Sequence, residues 1–239
     1  METRLHLLLK VIKCLGAAVV LTFTLALIGL PATTDSLESV LARLDRVGAS
    51  FSAVSADVTW AQHTAVINED LVDTGTMRLK RTKRDIRMLI NLTAPDAKTV
   101  ALQGHKLEVY YPKMQTVQEY DTGKYQTLLE QFLLLGFGTT GKELATAYRV
   151  SLLGADTIAG QKSTGLQLVP KSEEILKNLK RVDLWISDSG DYPVQQKLYL
   201  QAGDYRLVTY TNVKMNPPLA DADLKLKLPK NVERVFPQK

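Results

Sequence analysis

The spacing of apolar residues changes several times along the chain, and each change predicts a different kind of element. Leu15 to Leu30 is a nearly unbroken apolar run of about sixteen residues, preceded by Arg4, Lys10 and Lys13 and followed by Pro31-Ala32-Thr33-Thr34. This order predicts a secretory signal peptide over residues 1–32, or an uncleaved N-terminal anchor. Next, Leu37, Val40, Leu41, Leu44 and Val47 recur at helical spacing, with Asp35 and Glu38 placed as N-cap and capping-box partner and Gly48 at the end. That is one amphipathic helix of about four turns, whose apolar stripe needs a surface to cover.

From Phe51 to Tyr120 the period becomes two. Val54, Ala56, Val58 and Trp60 alternate with Ser55, Asp57, Thr59 and Ala61. Met77, Leu79 and Arg81 alternate with Thr76, Arg78 and Lys80, and Ile86, Met88, Ile90 and Leu92 with Arg87, Leu89 and Asn91. Leu107, Val109 and Tyr111 run into a Pro112-Lys113 turn, and further turn signals sit at 68–70, 83–85, 94–96 and 103–104. These short strands describe an antiparallel meander. Helical spacing returns at Tyr125, Leu128, Leu129, Phe132 and Leu133, with Gly136, Gly138 and Gly141 after it. Thr140 and Glu143 form a second capping box opening a short helix through Ala147. Strand patterns resume over 149–154, 164–170, 180–187, 193–201 and 205–214, with turns at 188–191 and 202–204 and a brief helical excursion over 172–178. From Pro217-Pro218 an extended tail runs to about 232–237.

One sheet of about ten or eleven strands is too wide to stay flat and is expected to curl. The fold class is therefore α+β: a strongly curved antiparallel sheet forming an unclosed half-barrel. An N-terminal helix and central lid helices lie over its concave apolar face. No composition break divides 33–239, which is read as a single domain with the central helices inserted into one sheet.

Composition narrows the function. The chain has 239 residues, 45% hydrophobic, with a formal charge of +5, enough apolar material for a large core and too little charge to point to nucleic acid. Cys14 is the one cysteine and precedes the apolar run, which excludes a lipoprotein-type modification there; cleavage would leave no thiol for a disulfide, nucleophile or metal. His6, His63 and His105 are too few and too scattered for a metal centre or a triad. His63 and His105 are expected at the surface. Asp221 and Asp223 would share a strand face if their segment is extended, with turn solvation as the simpler reading. No phosphate loop, nucleophile elbow or dinucleotide fingerprint occurs. No catalytic residue, cofactor or metal is expected. Lys80, Arg81, Lys83, Arg84 and Arg87 form the one concentration of charge: a solvated hairpin that discourages edge pairing, or a docking surface for an acidic partner or lipid phosphate.

The segment Leu128–Phe137 crowds leucines and aromatics together beside three glycines. It reads either as an ordinary core helix or as a lid over a cavity for an apolar ligand.

Several short motifs, in order, resemble the periplasmic outer-membrane lipoprotein carrier (lipoprotein-sorting protein) family, of the lipoprotein localisation factor A type. They are Leu37…Phe51-Ser52-Ala53, Gly75-Thr76-Met77-Arg78-Leu79-Lys80-Arg81, Gly104…Leu107…Tyr110-Tyr111-Pro112, Leu166-Gln167-Leu168-Val169-Pro170-Lys171 and Leu228-Pro229-Lys230-Asn231-Val232. The resemblance spans 36–237. It implies a periplasmic, monomeric carrier that takes acyl chains from an inner-membrane lipoprotein-releasing transporter to an outer-membrane acceptor. It implies an acyl-chain site built from Leu128, Leu129, Phe132 and Leu133 of the lid and Val58, Trp60, Met88, Ile90 and Val109 of the sheet. It also implies a lid latch at Arg81, although the family's following proline is Thr82 here, and Arg84 could serve instead. The alternative is a lipid-sensing or regulatory module on the same fold, resembling regulators that bind an anti-sigma factor; those carry an extra C-terminal domain, for which a chain ending at Lys239 is expected to leave no room.

Overall fold

A computed structural model describes residues 35–237; the expected signal segment and Cys14 lie outside them. The alternating strands join into one sheet of twelve, one or two more than the pattern implied. Helix α1 (Leu37–Ser50) is followed by β1 (Ala53–Thr64), β2 (Glu69–Arg81), β3 (Ile86–Ala94), β4 (Lys98–Gln103), β5 (Lys106–Tyr111) and β6 (Thr116–Asp121). The chain then crosses through α2 (Gln126–Leu134) and α3 (Gly141–Ala147) to β7 (Tyr148–Ile158). It returns by β8 (Gln161–Pro170), α4 (Glu173–Leu176), β9 (Leu179–Ser187), β10 (Pro193–Leu200) and β11 (Tyr205–Met215), and ends near β12 (Glu233–Val235).

The strand order is β12-β6-β5-β4-β3-β2-β1-β11-β10-β9-β8-β7. Two meanders are thus joined where β11 pairs with β1, and β7 and β12 stand at opposite edges. All neighbours are antiparallel except β12 on β6. The strands that no pattern marked are β4 and β12, the latter three residues of the tail, too short for an alternation to show.

Curvature follows from strand twist summed over twelve strands and from register shifts at Ser55/Asp57, Thr74/Gly75 and Leu152/Gly154. Gly75 sits at one of these shifts, where a β-carbon would stand 1.9 Å from the Asn91 carbonyl oxygen, so the two backbones could not approach with any larger residue.

Two buried clusters fill the concave side. Val54, Ala56, Val58, Met77, Leu79, Met88, Leu92, Leu102 and Tyr210 form one over β1–β4 and β11. Leu166, Leu168, Val182, Leu184 and Ile186 of β8–β9 form the other with Val40 and Leu44 of α1 and Leu144 of α3. Each position is the inward member of its alternation, as register requires. On the outer side, Leu89 and Ala101 pack under Leu224 of the tail.

Three local expectations are corrected. The N-cap of α1 is Ser36, whose Oγ accepts from the Ser39 amide at 3.1 Å. Asp35 instead pairs with Arg43 at 2.8 Å, a partner two helical turns on that outcompetes the local cap. Residues 221–224 form a 3-10 turn, as the simpler reading expected, but their carboxylates are partnered rather than left to solvent. There Asp223 accepts from the Ala220 amide at 2.8 Å, while Asp221 accepts from Lys80 at 3.0 Å and from Arg87 at 2.7 Å, so the two carboxylates serve separate structural contacts. His63 is not a free surface histidine: its ring lies parallel to Tyr205 at 4.6 Å and bonds Asp70 at 2.9 Å. His105 is exposed. The Thr140–Glu143 capping box forms as expected.

Candidate functional site

The site is the space between the concave sheet and the segment crossing it. Leu129 and Leu133 of α2 pack toward the β1–β4 cluster and Phe132 toward the β8–β9 cluster, so one turn of helix spans both. Leu128 is half-buried and belongs to neither cluster. On the sheet, Val58 and Met88 are buried at 6% and 5% exposure, whereas Trp60, Ile90 and Val109 are only half-buried. No residue of α2 is fully buried, although the helix is rich in leucine.

The segment following α2 behaves differently. Leu135, Gly136, Phe137 and Gly138 are all buried. Phe137 meets the edge of Tyr210 with centroids 5.1 Å apart. Gln196 Nε2 donates to the Leu135 carbonyl at 2.6 Å, and the Tyr210 hydroxyl donates to Gln196 Oε1 at 3.1 Å. Full burial pushes the Tyr210 hydroxyl well above its ordinary pKa, so it stays a neutral donor. The crossing segment is therefore pinned to the sheet behind α2, while α2 lies over the wall with partial burial.

Arg81 closes the same region from the side. It is the inward-facing last residue of β2. Its Nη2 donates to the Gly138 carbonyl at 2.5 Å and its Nη1 to the Gly48 carbonyl at 3.3 Å, with the guanidinium carbon 5.3 Å from the centroid of Phe51. One planar cation thus ties the end of α1, the pinned segment and β2 together. A β-carbon at Gly138 would stand 2.6 Å from both Arg81 Nη2 and Phe51 Cδ1, which explains glycine there. Arg84 is exposed, and its backbone amide donates to Thr82 Oγ1. Thr82 organises the hairpin: its Oγ1 accepts from the amides of Arg84 and Asp85. The basic cluster divides accordingly. Lys80 and Arg87 hold Asp221 on the outer side, Arg81 points inward, and Lys83 and Arg84 remain exposed.

The sequence reading missed Gln196, Tyr210, Asp73 and Lys98. Asp73 is 1% exposed and accepts from Lys98 Nζ at 2.8 Å. Each of these polar residues occupies an inward position of its strand, a departure from the apolar alternation that register alone could have flagged. Among the described residues, no three His, Cys, Asp or Glu side chains come together as a metal ion needs, and no helix is long and apolar enough to cross a membrane. A cleft of about 200 Å³ beside α2 is lined by Arg81, Glu130, Leu134, Gly138 and Tyr148 among others.

Comparison with known proteins agrees with this architecture. The model of the outer membrane lipoprotein carrier protein LolA matches residues 53–227. No curated protein matches the sequence. An uncharacterised conserved protein from Thermus thermophilus is 13% identical with a TM-score of 0.53, the alignment covering 84% of this chain and 99% of that one. MucB is 14% identical with a TM-score of 0.50 over 82% of this chain. The chain spans 64% of MucB in that structure and 61% of the matched chain in the Pseudomonas aeruginosa MucA/MucB complex. At these identities the likeness is one of fold. With the family model matched over most of the sheet and the unclosed, lidded half-barrel in place, the chain belongs to the outer membrane lipoprotein carrier protein LolA family.

Proposed function

We propose that this protein is a periplasmic, monomeric, non-enzymatic carrier that holds the acyl chains of a lipoprotein or other lipid between α2 and the concave sheet. It would receive cargo from an inner-membrane lipoprotein-releasing transporter and yield it to an outer-membrane acceptor. The observation that carries this reading is the incomplete burial on both sides of one interface. The leucine-rich α2 has no fully buried residue, and the wall opposite keeps Trp60, Ile90, Val100, Leu107 and Val208 only partly buried. Apolar surface left partly open on two facing walls favours an apolar occupant. Each methylene of an acyl chain taken from water contributes about 0.8 kcal/mol, so such chains need enclosure during transit.

In this reading Leu128, Leu129, Phe132 and Leu133 above and Val58, Trp60, Met88, Ile90 and Val109 below would line the path of the chain. Arg81 acts in this reading as the latch of the closed, empty state. Any energy holding that state lowers apparent affinity for cargo and so eases release.

The test is mass spectrometry of lipid extracted from the protein purified from its exporting cell, with displacement of a pyrene-labelled fatty acid by diacyl lipid. Co-purified acylated cargo and competitive displacement are expected. Failure of the purified protein to bind either the labelled or the unlabelled chain would sink the reading. Cross-linking in cells that recovers an anti-sigma-type regulator, and no acylated cargo, would favour the regulatory alternative.

A further inference from the structure

The inward face of the sheet is not uniformly apolar. Trp60 on β1 stands opposite Asp73 on β2, and opposite Val208 on β11. Lys98 on β4 shares the inward alternation with Val100 and Leu102, and its Nζ reaches across β3 to Asp73. The aspartate is 1% exposed, while the lysine side chain keeps 22% of its surface. An ion pair taken out of water is weak evidence for stability, since desolvation offsets the attraction.

The Trp60 indole N–H sharpens the point. It is buried with no hydrogen-bond acceptor. The other buried atoms in that condition belong to Arg43, Arg87 and Asp191, and each of these has an ion-pair partner within 3.4 Å: Arg43 with Asp35 and Asp191, and Arg87 with Asp85. Among the described residues, Trp60 Nε1 is therefore the one buried polar atom of this group that nothing compensates. A buried donor without an acceptor costs free energy in every state in which it stays unmet.

We propose that Trp60 Nε1, beside the Asp73–Lys98 pair, is a polar subsite that takes the ester or amide carbonyl of an acylated cargo. The inference rests on the carrier reading above. An indole nitrogen only donates, so its complement must be an acceptor. Asp73 and Lys98 cancel in charge, so no net attraction at the subsite offsets the cost of taking an anionic carboxylate or phosphate out of water. A neutral carbonyl costs far less to desolvate, and the spare N–H groups of Lys98 can share it. The subsite lies eight residues along β2 from Arg81, roughly 26 Å of strand. An acyl chain anchored by its carbonyl at Trp60 then runs along the apolar wall toward the latch. The depth of insertion is set by one hydrogen bond, while the wall remains indifferent to chain identity.

The experiment compares a diacyl phosphatidylcholine with its dialkyl ether analogue of identical chain length, each displacing a pyrene-labelled fatty acid from the purified protein. The two lipids differ only in the carbonyls. Wild-type protein is expected to bind the diacyl lipid about fivefold to tenfold more tightly, the range one net hydrogen bond supports. Trp60→Phe keeps an apolar ring and removes the donor, and it is expected to bind both lipids equally. Trp185→Phe, at the other tryptophan, is expected to retain the preference. Equal binding by wild type overturns the subsite, as does a preference that survives in Trp60→Phe. Binding of neither lipid by wild type overturns the carrier reading itself, and the subsite with it.

Discussion

Arg81 Nη2 donates to the carbonyl of Gly138 at 2.5 Å, joining the end of β2 to the pinned segment that follows α2. The bond is charge-assisted and half-buried, the setting in which a single hydrogen bond contributes most. In the carrier reading, Arg81→Leu removes about 1.5 kcal/mol of support from the proposed closed state and is expected to tighten binding of a pyrene-labelled fatty acid by about tenfold. Arg84→Leu should leave the affinity unchanged. A titration of both variants distinguishes a latch from a purely structural arginine, which would weaken or spare binding rather than tighten it.

Gly138→Ala tests the same contact from the other side. The added methyl would meet Arg81 Nη2 and Phe51 Cδ1 at 2.6 Å. Overpacking of this kind costs about 1–3 kcal/mol. The variant is expected to lose stability in urea and to reproduce the tighter binding of Arg81→Leu. The double variant should bind no more tightly than either single one, since both remove one interaction.

Phe132 is half-buried against the β8–β9 cluster. Phe132→Glu places a charge where an acyl chain would lie, so affinity for the labelled fatty acid is expected to fall at least about tenfold. Far-UV circular dichroism should be unchanged, because the carboxylate can still reach solvent from this position.

Gln196 bridges the Leu135 carbonyl and the Tyr210 hydroxyl. Gln196→Leu leaves both buried groups without their partner, which is expected to cost about 1–3 kcal/mol. The loss should appear as a lower urea midpoint, and as faster amide exchange over residues 135–138 than in the wild type.

The Asp221 carboxyl sits below its ordinary value of 3.8, chiefly because Lys80 donates a hydrogen bond to it, with the Arg87 and Lys80 charges adding to the effect. A lowered folded-state pKa means that its contribution is present above 3.8 and is lost as pH falls through the lowered value. Asp221→Asn should therefore unfold at a slightly lower temperature than wild type at about pH 5, with the difference shrinking as pH falls below 3.8. A constant difference across that range would assign the effect to something other than this ionisation.

Much of the fold was legible because half-buried strands alternate, α1 and α2 carry periodic apolar faces, and a capping box marks the start of α3. Val58, Met88 and Ile90 fall on the inward side by that alternation alone. What escaped was whatever depends on partners distant in sequence. Asp35 reads as a cap until Arg43 is seen beside it, and Asp221 reads as solvated until Lys80 and Arg87 are found across the sheet. Gln196 and Asp73 look like ordinary strand polars until register turns them inward. The three residues of β12 carry no pattern long enough to read, and they pair only because β6 offers an open edge.

The crossing from β6 to β7 has a mechanical meaning. The two meanders fan out from the β1–β11 seam, and α2 with α3 links their far sides, as a string links the ends of a bow. Spreading the sheet draws on that string, and lifting the string relaxes the sheet. In the carrier reading proposed above, the girth of the sheet and the position of this crossing are then expected to change together.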